Sequence, residues 1–294
     1  MEYNNLSYRI KYKVLRIFAP LIPDKLYLRL LFKLRVGYSL NLRTPRSYNE
    51  KLQWLKLYNR RPEYIQMVDK VEAKKYAANI IGEKHIIPTL AVYDKVEEID
   101  FDSLPNQFVL KCTHDSGGIV ICREKSMLDR NAAIRKLRKG LKKNYYYWNR
   151  EWPYKNVRPR VIVEQYMTDD GKELKDYKFF CFDGEPKVMF IASDRFDEEE
   201  ETKFDFFDMD FCHLPFTNGH PNSTQKVEKP RGFEEMKELV KKLSKGIPHV
   251  RVDLYDVNGH VYFGEMTFFH WSGMMPFEPK EWDYKFGNLI HLPY

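Results

Sequence analysis

Val250-Arg251-Val252-Asp253-Leu254-Tyr255, carried on to Val257, turned at Asn258-Gly259 and answered by His260 to Glu265, reads as a β-hairpin. Side chains alternate along a strand, so Arg251, Asp253 and Tyr255 share one face, and Glu265 and Thr267 share a face of the partner strand. Three oxygen-bearing side chains, Asp253, Glu265 and Thr267, can therefore converge beside an arginine. Mg²⁺ takes a few carboxylate oxygens together with phosphate and water, which this set can supply, with Mn²⁺ as the alternative ion. Cross-strand charges that merely face solvent are the competing reading.

Two weaker pieces lie upstream. Phe108-Val109-Leu110-Lys111 is an apolar strand ending in lysine, followed by His114-Asp115-Ser116-Gly117-Gly118 and a second apolar strand. A glycine loop between strands can lay backbone N–H groups on phosphates while a strand-end lysine offsets their charge. An ordinary turn with a surface lysine would look the same. Farther on, Val161-Ile162-Val163-Glu164-Gln165-Tyr166-Met167 runs into Asp169-Asp170-Gly171 and then Asp176-Tyr177-Lys178. Its strand-end backbone can meet an adenine edge and a nearby acid the ribose; alone, it is a strand and a turn.

Around these pieces the grammar is α+β. Short strands are expected at Phe108 to Leu110, Ile119 to Cys122, Val161 to Glu164, Tyr177 to Phe182 and Pro186 to Ile191, with Asp183-Gly184 as a hairpin turn. Helices are expected at Tyr8 to Leu21, Lys25 to Val36, Ser47 to Tyr58, Val68 to Ile80, Leu128 to Lys143 and Phe233 to Ser244. The character of the chain changes near Pro62. With 294 residues, 43% of them hydrophobic, it has material for one large core or two smaller ones in contact.

In this order the three pieces resemble the ATP-grasp superfamily, and the last hairpin resembles that of the D-alanine–D-alanine ligases. Asn49-Glu50-Lys51-Leu52-Gln53-Trp54, Asp69-Lys70, Asp176-Tyr177-Lys178-Phe179-Phe180 and the Arg251 to Thr267 hairpin are similar to the TupA-like ATP-grasp family of surface-polysaccharide biosynthesis, from about Arg43 to Gly273. The resemblance implies an ATP-grasp fold in which two α+β subdomains clasp ATP: a basic helical segment at 1–62, then an ATP-grasp domain at 63–294. Within that domain it implies a lid-like part at about 105–167 and a metal-binding and catalytic part at about 168–294. It implies that Lys70 and Lys111 contact the phosphates and that Ser116, Gly117 and Gly118 close over them. Glu164, Gln165, Tyr166 and Met167 would form the adenine hinge; Asp176 or Glu173, beside Lys178, would take the ribose. Asp253, Glu265 and Thr267 would hold Mg²⁺, Arg251 would stabilise the transferred phosphate, and Ser272 and Gly273 would meet the acceptor. The ligases have Asn where Thr267 stands, and they carry a whole α/β domain where this chain has about 68 basic, helical residues.

The implied reaction is ATP-driven activation of a sugar carboxylate as an acylphosphate, which an amine or amino acid then attacks. A kinase that stops at phosphoryl transfer is the second reading. A glycosyltransferase, which the polysaccharide setting would suit, is the third and needs an acidic metal motif, for which Asp205 to Asp210 offers a D-x-D context at Asp208-Met209-Asp210 alone; a nucleotide-sensing domain without catalysis is the fourth. The four cysteines form no C-x-x-C pair and the eight histidines no H-x-x-x-H spacing, so zinc is not indicated. Neither a run long enough to cross a bilayer nor a signal peptide is evident, which points to the cytoplasm.

Charge is unevenly spread. Residues 1–62 hold 14 Lys and Arg against three acids, a net +11 in a chain of +7. Leu6, Ile10, Val14, Ile17 and Leu21 recur there at near-helical spacing. Two readings stand: docking on an anionic membrane at its inner face, or on a lipid-linked anionic glycan, and packing of the same residues on the catalytic core. A second basic block, Arg130 to Arg160, interleaves 11 Lys and Arg with Tyr145, Tyr146, Tyr147, Trp148, Trp152 and Tyr154. Without an RNA-binding signature, nucleic acid is not the expected partner.

Overall fold

Two antiparallel sheets face each other across a cleft, with helices packed behind and below them. The computed structural model describes residues 6–115, 117–169, 174–193 and 201–293.

The basic N-terminal stretch forms α1 (Leu6–Ile17) and α2 (Asp24–Val36), separated by the turn that carries Pro20 and Pro23. α2 ends at Gly37, whose φ of 92° is open to glycine at little cost. α3 (Tyr48–Tyr58) starts on a capping box, with the Glu50 N–H donating to Ser47 Oγ and the Ser47 N–H donating to the Glu50 carboxylate, each at 3.2 Å. The helix expected over Val68 to Ile80 is present as α5 (Lys70–Ile81), and an unexpected short helix, α4 (Glu63–Val68), precedes it. Asp69 breaks them apart: its backbone is extended, and its carboxylate accepts from the Val71 and Glu72 N–H groups at 2.8 and 3.3 Å.

The smaller sheet consists of β1 (Thr89–Tyr93), β2 (Phe108–Cys112), β3 (Ile119–Cys122) and β4 (Val161–Gln165) in the order β1-β4-β2-β3. α6 (Arg130–Leu141) packs on β2 and β3, and α7 (Tyr145–Asn149) follows it. The larger sheet has the order β7-β6-β5-β8-β9, from β5 (Asp176–Phe182), β6 (Glu185–Ser193), β7 (Lys203–Phe207), β8 (His249–Val257) and β9 (His260–Thr267). β5 is central and all seven of its residues are buried. Both expected hairpin turns are present: Asp183-Gly184 (φ 50° and 84°) and Asn258-Gly259 (φ 53° and 84°) have the paired positive φ of a tight two-residue turn.

α8 (Phe233–Ser244) covers one face of the larger sheet with Met236, Val240 and Leu243. Against the other lies α9 (Glu281–Leu289) with α3, where the Tyr48 ring meets Phe180, Phe277 and Phe286 edge-on. α5 serves both sheets. It packs on α8 and β9, while its first residue donates its N–H to the Thr113 carbonyl at 3.0 Å and its Lys74 pairs with Glu164 of β4 at 2.6 Å.

The N-terminal helices divide in role. Tyr27, Leu28, Leu31 and Phe32 of α2 are fully buried in the main core. The apolar stripe of α1 is not: Leu6, Ile10, Val14 and Ile17 are exposed, so the expectation that these residues pack on the catalytic core is not met. The aromatic and basic block after α6 fastens this region. Arg150 pairs with Asp24 at 2.8 Å, Tyr146 Oη donates to the same carboxylate at 3.0 Å, and Tyr27 Oη donates to the Trp148 carbonyl at 2.8 Å.

Candidate nucleotide and metal site

The site starts from an irregularity in the β8–β9 hairpin. From the turn to Leu254↔Phe263 the strands pair residue for residue; then one residue of β9 is skipped and Asp253 pairs with Glu265. The extra residue is Gly264, where a Cβ would come within 2.9 Å of the Asp253 carbonyl oxygen. Without this bulge Asp253 would pair with Gly264, and Glu265 would face the opposite side of the sheet. The bulge therefore brings the two carboxylates onto one face, with Thr267 opposite Arg251 one step on.

These groups form one network. Arg251 grips Asp253 with two donors, Nε to Oδ1 and Nη2 to Oδ2, both at 2.7 Å, and reaches Thr267 Oγ1 at 3.0 Å and Glu265 Oε1 at 3.3 Å. Its remaining arm, Nη1, donates to His270 Nδ1 at 2.8 Å, so His270 carries its proton on Nε2 and gives it to Asn218 Oδ1 at 3.1 Å. Lys178 on β5 donates to Asp253 and lies 3.3 Å from Asp176. Lys70 stands 3.5 Å from Glu265. Burial would raise the Glu265 carboxyl, but Lys70, Lys178 and Arg251 outweigh it and hold the group well below the usual carboxylate range.

Across the cleft, Lys111 of β2 and Lys74 of α5 each pair with Glu164 at 2.6 Å. Burial again opposes ionisation, and the two ammonium groups prevail, taking the Glu164 carboxyl down to about 2. Between the two groups lies about 1020 Å³ of empty space, its open mouth included. Its walls are apolar at Ile87, Val109, Ile119, Ile121 and Met167, and charged at its floor.

Of the residues expected in the site, Lys70, Lys111, Glu164, Gln165, Tyr166, Met167, Asp176, Lys178 and Glu265 all border the cleft. Arg251 and Asp253 are buried beside it, in contact with Glu265 or Lys178. Four candidates lie elsewhere. Gly117 and Gly118 do not line the cleft; Gly118 packs on Cys112, whose Sγ a Cβ would meet at 2.6 Å. Ser272 donates its hydroxyl to buried Glu151, and Gly273 is pressed against Leu52 and Gln53. Ser116 and Glu173 fall outside the described residues. Asp208, the start of the D-x-D reading, accepts from the Asp210 and Cys212 N–H groups at 3.0 and 2.8 Å and so caps a turn.

Sequence reasoning missed Lys74 and His270. Lys74 lies one helical turn after Lys70 on the same face, and that i, i+4 spacing was the available signal. Nothing local marks His270 as the support of Arg251. Lys56 of α3, also unsignalled, supports the loop after β9: it is fully buried, donates to the carbonyls of Ser272 (2.8 Å) and Asn149 (2.9 Å), and burial lowers its pKa. Trp271, Ser272 and Gly273 run consecutively at positive φ (49°, 59° and 58°).

Two facing antiparallel sheets with helices behind them, enclosing a lysine-lined cleft that ends in paired carboxylates, are an ATP-grasp architecture. The family model described as TupA-like ATPgrasp matches residues 50–291, and the chain belongs to that family. Among solved structures, a D-alanine–D-alanine ligase from Bacillus anthracis complexed with ATP is 16% identical, with 69% of this chain and 53% of that one covered and a TM-score of 0.40. The corresponding ligase from Helicobacter pylori is 15% identical over 85% of this chain and 70% of its own, TM-score 0.44. The ATP-grasp ligase PsnB, complexed with minimal precursor, Mg and ADP, is 11% identical over 74% and 57%, TM-score 0.41. The chain thus spans about half the length of the first of these. No match was found among curated proteins.

Proposed function

We propose that this chain is an ATP- and Mg²⁺-dependent carboxylate–amine ligase that works through an acylphosphate, joining an amine or amino acid to a uronic-acid-type sugar for a cell-surface polysaccharide. The observation that carries the reading is the Asp253–Glu265 pair, set side by side by the Gly264 bulge and ringed by Arg251, Lys178 and Lys70.

The donor set suits a hard dication. Its oxygens belong to two carboxylates and a hydroxyl, and among the described residues no cluster of three or more His, Cys, Asp and Glu side chains could hold a metal alone. The set is complete only with ligand oxygens, which a triphosphate provides. When bound, Mg²⁺ neutralises phosphate charge and polarises the group transferred. The chain's own residues supply the rest. Arg251, held in place by Asp253 and His270, and Lys70 and Lys178 offset charge that spreads during transfer. Lys111, beside Glu164, faces the same space. Ile87, Val109, Ile121 and Met167 offer apolar walls to a base. The Gln165 N–H is taken by the Pro88 carbonyl at 3.0 Å, so the adenine edge falls to the backbone at Tyr166 and Met167, and Asp176 to the ribose. We assign the lid to the smaller sheet, which includes β1 besides the expected 105–167, and the metal-binding part to the larger sheet from about 168 on.

The test is acceptor dependence. ATP consumption is screened against uronic acids, nucleotide-linked uronic acids, amines and amino acids. A ligase releases ADP and phosphate only when carboxylate and amine are both present and yields an amide by mass spectrometry. A stable phosphorylated product without amine identifies a kinase, and sugar transfer without ATP use a glycosyltransferase; either overturns the proposal.

A further inference from the structure

α1 has the two-sided pattern of a helix that lies in a lipid–water interface. Leu6, Ile10, Val14 and Ile17 follow one another at steps of four, four and three, which keeps them within about a quarter of the helix circumference. They are 71, 54, 47 and 63% exposed, and Phe18 (52%) and Leu21 (80%) extend the stripe past the helix end. The helix does have an inner side: Tyr12 and Leu15 pack on the core, and Arg16 lies 4.2 Å from the Trp148 ring. The outward stripe is thus the face left over after α1 has docked, on a helix already seated. A soluble protein has no internal reason to hold six large apolar side chains outward in succession.

Their charge surroundings identify what covers them. Exposed Arg9 and Lys13 flank the stripe on one side and Lys11 on the other, and α2 adds exposed Lys25, Arg29 and Lys33 beside exposed Leu26 and Leu30. Asp24, the single acid between residues 6 and 36, is already held by Arg60 at 2.6 Å and Arg150 at 2.8 Å. A second copy of this chain would bring the same positive field against itself, which disfavours self-association through this face. An apolar stripe bordered by cations that pair with no acid among the described residues instead complements a surface that is apolar below and anionic above. No helix among the described residues is long and apolar enough to cross a membrane.

We infer that α1, with the exposed edge of α2, docks the protein reversibly on an anionic phospholipid surface, the apolar stripe entering the headgroup boundary and the lysines and arginines meeting lipid phosphates. The proposal stands apart from the ligase reading, because none of these residues borders the cleft.

The test uses the full chain, since deleting residues 1–35 would also remove buried Tyr27, Leu28, Leu31 and Phe32. Sedimentation with vesicles of phosphatidylcholine alone is compared with vesicles containing phosphatidylglycerol, at low and high salt. The wild type should bind the anionic vesicles, release them in salt and ignore the neutral ones. Ile10→Ser with Ile17→Ser, and separately Lys11→Gln with Lys13→Gln, should each weaken binding by at least about tenfold. Thermal melting should be unchanged, since all four side chains are exposed. Phe18→Trp should show a blue-shifted emission with anionic vesicles only. Failure of the wild type to bind either vesicle, or equal binding by wild type and both double variants, overturns the proposal. So does concentration-dependent dimerisation abolished by Ile10→Ser with Ile17→Ser while vesicles are ignored, which would make the stripe a contact between copies.

Discussion

Lys111 and Lys70 look equivalent as cations at the ends of a strand and a helix, yet their surroundings give them different consequences. Lys111 partly neutralises Glu164, a carboxylate only 5% exposed. Lys111→Met leaves Lys74 as the one ion-pair partner of Glu164 among the described residues, so this variant should lose about 1–3 kcal/mol of stability as well as affinity for a non-hydrolysable ATP analogue. Lys70 has a looser pair with Glu265, and Lys70→Met should weaken the same calorimetric binding with little change in melting temperature. Equal affinity in wild type and both variants would remove the phosphate site. Glu265→Gln keeps size and fold but removes a charge from the carboxylate pair. Turnover should fall by at least about 100-fold, and excess Mg²⁺ should not restore it. Undiminished activity at saturating Mg²⁺ would disprove the metal assignment.

Among elements, the β8–β9 hairpin concentrates the largest effects. Gly264→Ala places a methyl against the Asp253 carbonyl at 2.9 Å, so the bulge must spread or slip. A loss of about 1–3 kcal/mol is expected, with a disproportionate fall in turnover because Glu265 loses its place opposite Asp253; wild-type melting and turnover would contradict this. The same region sets a pH response. Burial, aided by Arg251, lowers His249 to about 3, and the same causes hold His270 well below the ordinary histidine range. Unfolded histidine titrates near pH ~6.5. Below that pH the unfolded chain binds protons the fold refuses, so stability should drop on acidification by up to about 1.4 kcal/mol per pH unit for each histidine. Glu164 and Glu265 have depressed values, so their contribution is present at neutral pH and is lost only below pH ~4.5. Urea midpoints between pH 7 and 5 would show the histidine part; His249→Gln should flatten it, and a level wild-type curve would refute it. Much of this element was legible: alternation gave the strands and Asn258-Gly259 the turn. The bulge was not, because Gly264 in a strand announces close approach without saying which neighbours shift register. β1 was missed because it is an edge strand whose Leu90 and Val92 face outward. β7 is short and packs through Phe204, Phe206 and Phe207 without an alternating pattern.

At the scale of the molecule, composition already divided a basic amino-terminal part from a mixed α+β remainder, and the order of motifs carried the family. Sequence could not show that α2 belongs to the core while α1 turns its apolar side outward, since both have similar residues at similar spacing and tertiary contacts alone separate them. It also could not show what α5 does by touching both sheets. A helix wedged along the back of a cleft acts as a spacer of fixed width. With Lys70 tied to Thr113, Lys74 to Glu164 and the same helix packed on β9, the sheets cannot draw apart in parallel. The clearance they gain must be angular, smallest at α5 and growing toward the rim. Amide exchange should therefore stay slow along α5 and in the β2–β3 turn bonded to it whether or not nucleotide is present, and the amides that nucleotide protects should lie on the edge strand β3, whose Ile119 and Ile121 border the cleft. Equal protection along α5 and that edge strand would mean that the two sheets move like drawer fronts and not like the jaws of a clamp.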